Sequence, residues 1–263
     1  MGDREVYPNA PLVLVSVELR HPTAEPLGSR KLSAIKRHVS QRMPIPAPVK
    51  QVTLTLTPDG QRQEEGSTPR YMTRDRTSAI TFGTDRIAVE TTNYDRFEVL
   101  QELVDLAVEA RQKYAPVDGV DRIGMRYINE LRLEVDRPDD WDNWLSPALT
   151  GPTRPAAPIG MDVTYWQGVA VYGNPVGAGV VVRHGTFQGY AVDPGGELKR
   201  PSPPPGQFFL IDIDSYWTPE GGTPVLDLES ARDQLNGIHR AGQQMFESLI
   251  TERLRKEVLR HGH

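Results

Sequence analysis

RYMTRDRTSAITFGTDRIAVETTNYDRFEVLQELVDLAVEARQKYAPVDGVDRIGMRYINELRLEV, residues 70–135, carries the pattern on which the rest of the chain is built. Arg76–Phe82 alternates, with Ile80 and Phe82 on one face. Ile87–Thr91 alternates again, with Ile87 and Val89 together. Gly83-Thr84-Asp85 between them is turn chemistry, so the two segments predict a hairpin. Asp95 reads as a helix N-cap, and Phe97, Leu100, Val104, Ala107, Val108 and Arg111 follow at helical spacing. Asp118-Gly119 ends that run. Ile123, Met125, Tyr127, Asn129, Leu131, Leu133 and Val135 then share one face of a long strand. This succession specifies a fold class. It holds no catalytic signature.

Upstream, Leu12–Leu19 is apolar on nearly every position, as expected of a strand inside a sheet. Ser29–Met43 predicts a short helix buried through Leu32, Ile35 and Val39. Pro44, Pro46 and Pro48 end it, because proline lacks the amide proton and biases its predecessor to extended backbone. Val52–Thr57 alternates as a half-buried strand, Pro58-Asp59-Gly60 is a turn, and the polar run Gln61–Thr68 reads as a loop.

Downstream the composition shifts. Residues 138–160 hold five prolines with Trp141 and Trp144 among them, and read as a crossover pinned by its tryptophans. Met161–Tyr172, Gly179–His184 and Phe187–Val192 read as three strands, Asp193–Gly206 as an exposed loop, and Phe208–Asp214 as an apolar strand. Leu228–Leu259 carries a helical stripe from Leu228 to Val258, a span of roughly 45 Å at 1.5 Å per residue. The expected fold is therefore α+β: two related antiparallel-sheet halves, helices packed on one face, and a long C-terminal helix. Residues 1–137 form an N-terminal α+β half, 138–160 a Pro-rich crossover, and 161–263 a C-terminal β-sheet half with its closing helix.

Charged residues at 25% and apolar residues at 38% describe an ordinary globular chain. A net charge of −5 argues against a whole-molecule field that would draw in nucleic acid or anionic lipid. The absence of cysteine excludes disulfides, thiolate catalysis and Cys-based zinc sites. The charged start Met1-Gly2-Asp3-Arg4-Glu5 has no apolar signal segment, and no apolar run reaches the length of a membrane span. The expectation is a cytoplasmic protein without membrane contact.

Candidate chemistry is sparse. Asp212 and Asp214 lie two apart on a strand and project from one face, which would suit Mg²⁺ or Mn²⁺. Solvent-facing alternation gives the same pattern. His239 sits at the border of the last helix's apolar stripe, where a packed, hydrogen-bonded histidine is commoner than a catalytic one. Arg30, Lys31, Lys36, Arg37 and Arg42, with Lys50 beyond them, lie in a segment (26–58) that contains no Asp or Glu. They are the best candidates for a phosphate backbone or an acidic partner, against the plainer reading of a solvated helix face. Arg70, Arg74, Arg76 and Arg86 would extend that patch if the hairpin lay beside the helix. Arg126, between Met125 and Tyr127 on the strand, needs a counter-charge wherever its face is covered.

Read together, Asn9-Ala10-Pro11-Leu12 leading to Glu18-Leu19-Arg20, Arg126-Tyr127-Ile128-Asn129, Leu210-Ile211-Asp212-Ile213-Asp214-Ser215-Tyr216, and Leu235 with His239 and Phe246 resemble a sporadically distributed family of uncharacterised bacterial proteins. The resemblance spans nearly the whole chain. It carries over no activity, cofactor or catalytic residue. The patchy distribution of such a family implies an accessory gene of defence or toxin–antitoxin type.

The first functional expectation is a non-enzymatic protein-binding factor with an antitoxin, immunity or chaperone-like role, no cofactor, and another protein or a second copy as partner. The absence of an assembled catalytic constellation argues against an enzyme. Two alternatives stand beside it. One is a metal-dependent phosphate-ester hydrolase, which requires Asp212, Asp214 and His239 to converge. The other is a nucleic-acid-binding module built on the basic segment.

Overall fold

The computed structural model describes residues 7–57, 60–151, 160, 161, 163 and 165–261, of which 51–57, 60–65 and 138 are described as backbone only. The strands are β1 (Leu12–Arg20), β2 (Ile45–Pro46), β3 (Val49–Thr57), β4 (Gly60–Thr68), β5 (Arg70–Met72), β6 (Ser78–Phe82), β7 (Arg86–Thr91), β8 (Arg122–Leu131), β9 (Gln167–Gly173), β10 (Gly177–Gly189) and β11 (Gly206–Thr218). The helices are α1 (Ser29–Val39), α2 (Phe97–Tyr114), α3 (Pro147–Thr150), α4 (Leu228–Leu249) and α5 (Glu252–Leu254), with a 3-10 turn at Pro138–Asn143.

Nine strands form one antiparallel sheet in the order β2-β5-β6-β7-β1-β8-β11-β10-β9, and β3 pairs with β4 as a separate hairpin. The order repeats a pattern. From β1 outward run β7, β6 and β5; from β8 outward run β11, β10 and β9. Helix α2 follows β7 and α4 follows β11, and the halves meet where β1 pairs antiparallel with β8. The fold is α+β, with both halves fused into one sheet.

Alternation decides which face is covered. Val15, Val17 and Leu19 of β1, Ile87 and Val89 of β7, and Ile123 and Met125 of β8 are buried in one cluster with α1, α2 and α4. Across the sheet, Val17 stands opposite Val89 on one side and Met125 on the other, so burial runs in rows perpendicular to the strands. A second cluster continues on the same face beneath the crossover, where Trp141, Leu145 and Leu149 pack on Phe209 and Ile211. Trp141 is 1% exposed, which satisfies the expectation that it pins the segment. The opposite face carries no helix among the described residues.

Two strands are shorter than the sequence reading, β8 ending at Leu131 before Leu133 and Val135 and β9 beginning at Gln167 and not Met161, and four further elements depart from it. Residues 61–68 are strand β4, paired in register with β3; the intervening Pro58-Asp59 lies outside the described residues. The side chain of Asp95 does not cap α2, whose N-cap is Arg96 with no side-chain cap bond. The two strands expected around Gly185 are one, β10. Gly185 has φ 150°, and a Cβ there would fall 2.2 Å from the Trp166 carbonyl oxygen, so only glycine lets β9 and β10 approach. The closing helix stops at Leu249. Ile250 is extended (φ −110°, ψ 150°) and bridges Leu145, while Thr251 N–H donates to the Trp144 carbonyl at 3.0 Å. Backbone pairing with the crossover displaces helical bonds there, and Thr251 restarts the chain by accepting from Leu254 N–H.

The loop after β10 is not free either. Ala191 N–H donates to Glu130 Oε2 at 2.7 Å, Arg200 approaches the same carboxylate at 3.6 Å, and Lys199 N–H bonds the Arg76 carbonyl at 2.8 Å. Glu197 pairs with Arg70 at 2.9 Å. The loop is thus a strap across one end of the helix-free face, tying the second half to the first.

Candidate functional site: the outer edge strand and the residues the sequence singled out

Asp212 and Asp214 project from the helix-free face, since Ile211 and Ile213 beside them fill the core beneath the helices. Both are engaged by arginines. Arg126 Nε and Nη2 each donate to Asp212 at 2.7 Å, and Arg183 lies 3.5 Å away. Arg122 pairs with Asp214 at 3.3 Å and lays its guanidinium 4.9 Å from the Tyr216 ring centroid. Donating to the Asp212 carboxylate raises the Arg126 pKa above its ordinary value, despite partial burial. The carboxylates that a metal would need are spent on cations, and no His/Asp/Glu group able to hold a metal is found among the described residues.

His239 lies on the other side of the sheet. Its ring stacks on Phe97 with centroids 3.9 Å apart and planes 1° from parallel, and Nδ1 is 2.6 Å from the Tyr127 hydroxyl. At 6% exposure it is a core-border histidine held by stacking and a hydrogen bond. It lines a cavity of about 330 Å³ with Tyr94, Tyr127, Ile213 and Phe246, into which a β1 irregularity between Leu12 and Leu14 turns Leu12. The convergence of Asp212, Asp214 and His239 required for the hydrolase does not occur: a full sheet separates the pair from the histidine.

Arg30, Lys31, Lys36, Arg37 and Arg42 are exposed on or just after α1, which packs Ile35 and Val39 inward. The neighbouring α2 presents carboxylates to them. Arg42 pairs with Glu102 at 3.2 Å, and His38 stands 4.0 Å from Glu109. Two of the hairpin arginines, Arg70 and Arg86, do not extend the patch. Arg70 pairs with Glu90 and Glu197, and Arg86 with Glu18 and Asp85, on the face away from α1.

The unaccounted feature is an edge. Strand β9, Gln167-Gly168-Val169-Ala170-Val171-Tyr172-Gly173, pairs with β10 on one side and, among the described residues, is the last strand of the sheet on the other. It has no charge and no proline. Val169 is 67% exposed, Val171 64% and Tyr172 46%. Ala170 and Tyr172 stand opposite Val182 and Val180 of the buried cluster, so Val169 and Val171 point to the helix-free side. The opposite edge is guarded: β2 is two residues long and contains Pro46. Sequence reasoning found the strand and missed the edge. The alternation was visible, but the neighbour of a strand depends on long-range pairing.

No protein-family model matches this chain, and no curated protein matches its sequence, so its functional reading rests on geometry.

Proposed function

We propose that this chain is a non-enzymatic binding protein that takes up an extended segment of another polypeptide as a tenth strand beside β9. The supporting observation is the contrast between the two edges, one closed by a two-residue proline-bearing strand and the other long, uncharged and apolar. An edge of that kind templates strand addition: main-chain hydrogen bonds supply affinity, and alternate side chains supply selectivity. Covering an exposed valine side chain contributes roughly 1.5–3 kcal/mol, so Val169 and Val171 together are worth a useful fraction of a specific interface. The expected partner segment is extended, with apolar residues at alternate positions to meet them. An antitoxin, immunity or chaperone-like role uses a surface of this kind.

One observation favours a second reading. Val169-Ala170-Val171 is symmetric about Ala170, so two copies could pair β9 to β9 across a twofold axis, which closes at a dimer because the other edge is guarded. Native mass spectrometry of the protein purified from its host separates the occupants. A stoichiometric foreign chain supports the first reading and a homodimer the second. The V169K/V171K double variant changes only exposed side chains and is expected to fold while releasing either occupant. Retention of the partner by that variant, or a bare monomer whose 167–173 amides exchange freely with solvent, overturns the proposal.

A further inference from the structure

Arg111 is 1% exposed, yet its Nε and Nη1 have no hydrogen-bond partner among the described residues. An uncompensated buried guanidinium costs several kcal/mol, and a fold that retains one requires a counter-charge from elsewhere. Arg111 lies in the last turn of α2, where its carbonyl accepts from Ala115 N–H at 2.8 Å. It forms part of the wall of a cleft of about 630 Å³. The β1–α1 loop forms the far wall, clamped to the β6–β7 turn by Ala24 N–H donating to the Thr84 carbonyl at 2.7 Å. Lys31 lines the cleft from the first turn of α1, and Glu25 and Asp118 line it as well.

We propose that this cleft binds a small carboxylate ligand, its oxygens held by the Arg111 guanidinium with Lys31 alongside. Guanidinium donors match a planar carboxylate and form strong charge-assisted bonds with it. Glu25 and Asp118 line the same cleft without an ion pair to either cation and repel a second negative charge, so the cleft suits a singly charged anion over a phosphate dianion. His21 does not compete for the ligand. Its Nδ1 is 2.9 Å from the Pro22 carbonyl, and burial together with the nearby Arg111 lowers its pKa, which keeps the ring neutral. The site is separate from β9 and stands whether or not the edge binds a partner.

The test is calorimetry and thermal unfolding of the full chain with sodium acetate, lactate and benzoate, against sodium chloride at equal ionic strength and against inorganic phosphate. A carboxylate is expected to bind with a dissociation constant on the order of 1 mM, in keeping with its few heavy atoms, and to raise Tm above the chloride control. R111M removes the charge and keeps the length of the side chain. It is expected to bind at least about tenfold more weakly and to be no less stable than the wild type without ligand, because it removes a buried unpaired charge. K31A, at an exposed position, keeps the fold and is expected to weaken binding severalfold. Equal shifts in wild type and R111M, no carboxylate-dependent shift in the wild type, or phosphate bound in preference to every carboxylate would each overturn the assignment.

Discussion

Arg126 holds Asp212 in a two-pronged grip, Nε and Nη2 each 2.7 Å from a different carboxylate oxygen, across the pairing of β8 with β11. The two are unequal in burial: the Asp212 side chain is 2% exposed and that of Arg126 45%. Loss of either partner therefore has different consequences. Arg126→Met strands a buried carboxylate, with Arg183 at 3.5 Å the remaining cation beside it among the described residues, and is expected to cost about 2 kcal/mol. Asp212→Asn leaves a half-exposed guanidinium that water can solvate, so its cost is expected near 1 kcal/mol. Urea unfolding of both variants measures the asymmetry, and equal costs would contradict this account.

Tyr127 and His239 form the corresponding link beneath the helices, joining β8 to α4. Tyr127→Phe keeps the edge contact with Tyr94 and removes the hydroxyl. The expected loss is about 1 kcal/mol, the net worth of one such hydrogen bond. The midpoint of chemical denaturation reads it, and an unchanged midpoint would show the bond contributes nothing.

His184 sets a pH dependence. Burial lowers its pKa below the ordinary value of 6.5, and its Nδ1 has no hydrogen-bond partner among the described residues. A histidine depressed in the folded state binds fewer protons there than in the unfolded chain. Its contribution to stability is complete above about 6.5 and is lost progressively as pH falls toward the folded-state value. His184→Phe keeps the ring against Phe209 and removes the titration. The stability of the wild type relative to this variant should therefore decline between pH 7.5 and pH 5. A constant difference over that range would remove His184 from the account.

Gly185 is the position where substitution is expected to be most damaging for its size. Adding one methyl group brings a Cβ within 2.2 Å of the Trp166 carbonyl oxygen and 2.9 Å of Gln167 Cα, at a φ that side chains disfavour. Gly185→Ala should cost at least about 2 kcal/mol, as strained backbone and overpacking do together. Faster exchange of the 167–173 amides should accompany it, because the pairing of β9 would loosen first.

Much of the architecture was legible in local pattern. The alternation of Val15, Val17 and Leu19, the helical spacing from Phe97 to Arg111, and the strand-face alternation of Ile123, Met125, Tyr127 and Asn129 each report the face a residue turns to the core, which is a property of chain geometry alone. Failures fell where neighbours override pattern. Residues 61–68 look like loop until β3 supplies hydrogen-bond partners, and Ile250 looks helical until Leu145 offers it a bridge.

The candidate sites divide along the same line. Composition alone excluded thiol chemistry, and the spacing of Asp212 and Asp214 placed both carboxylates on one strand face. Their engagement by arginines from β8 and β10, the sheet standing between them and His239, the carboxylates of α2 beside the basic helix, the place of β9 at the end of the described sheet and the buried charge of Arg111 all depend on residues distant in sequence. Periodicity encodes which way a side chain points. Only the packed chain determines what stands opposite it, because strand order and helix docking minimise the free energy of the whole molecule and not of any one segment.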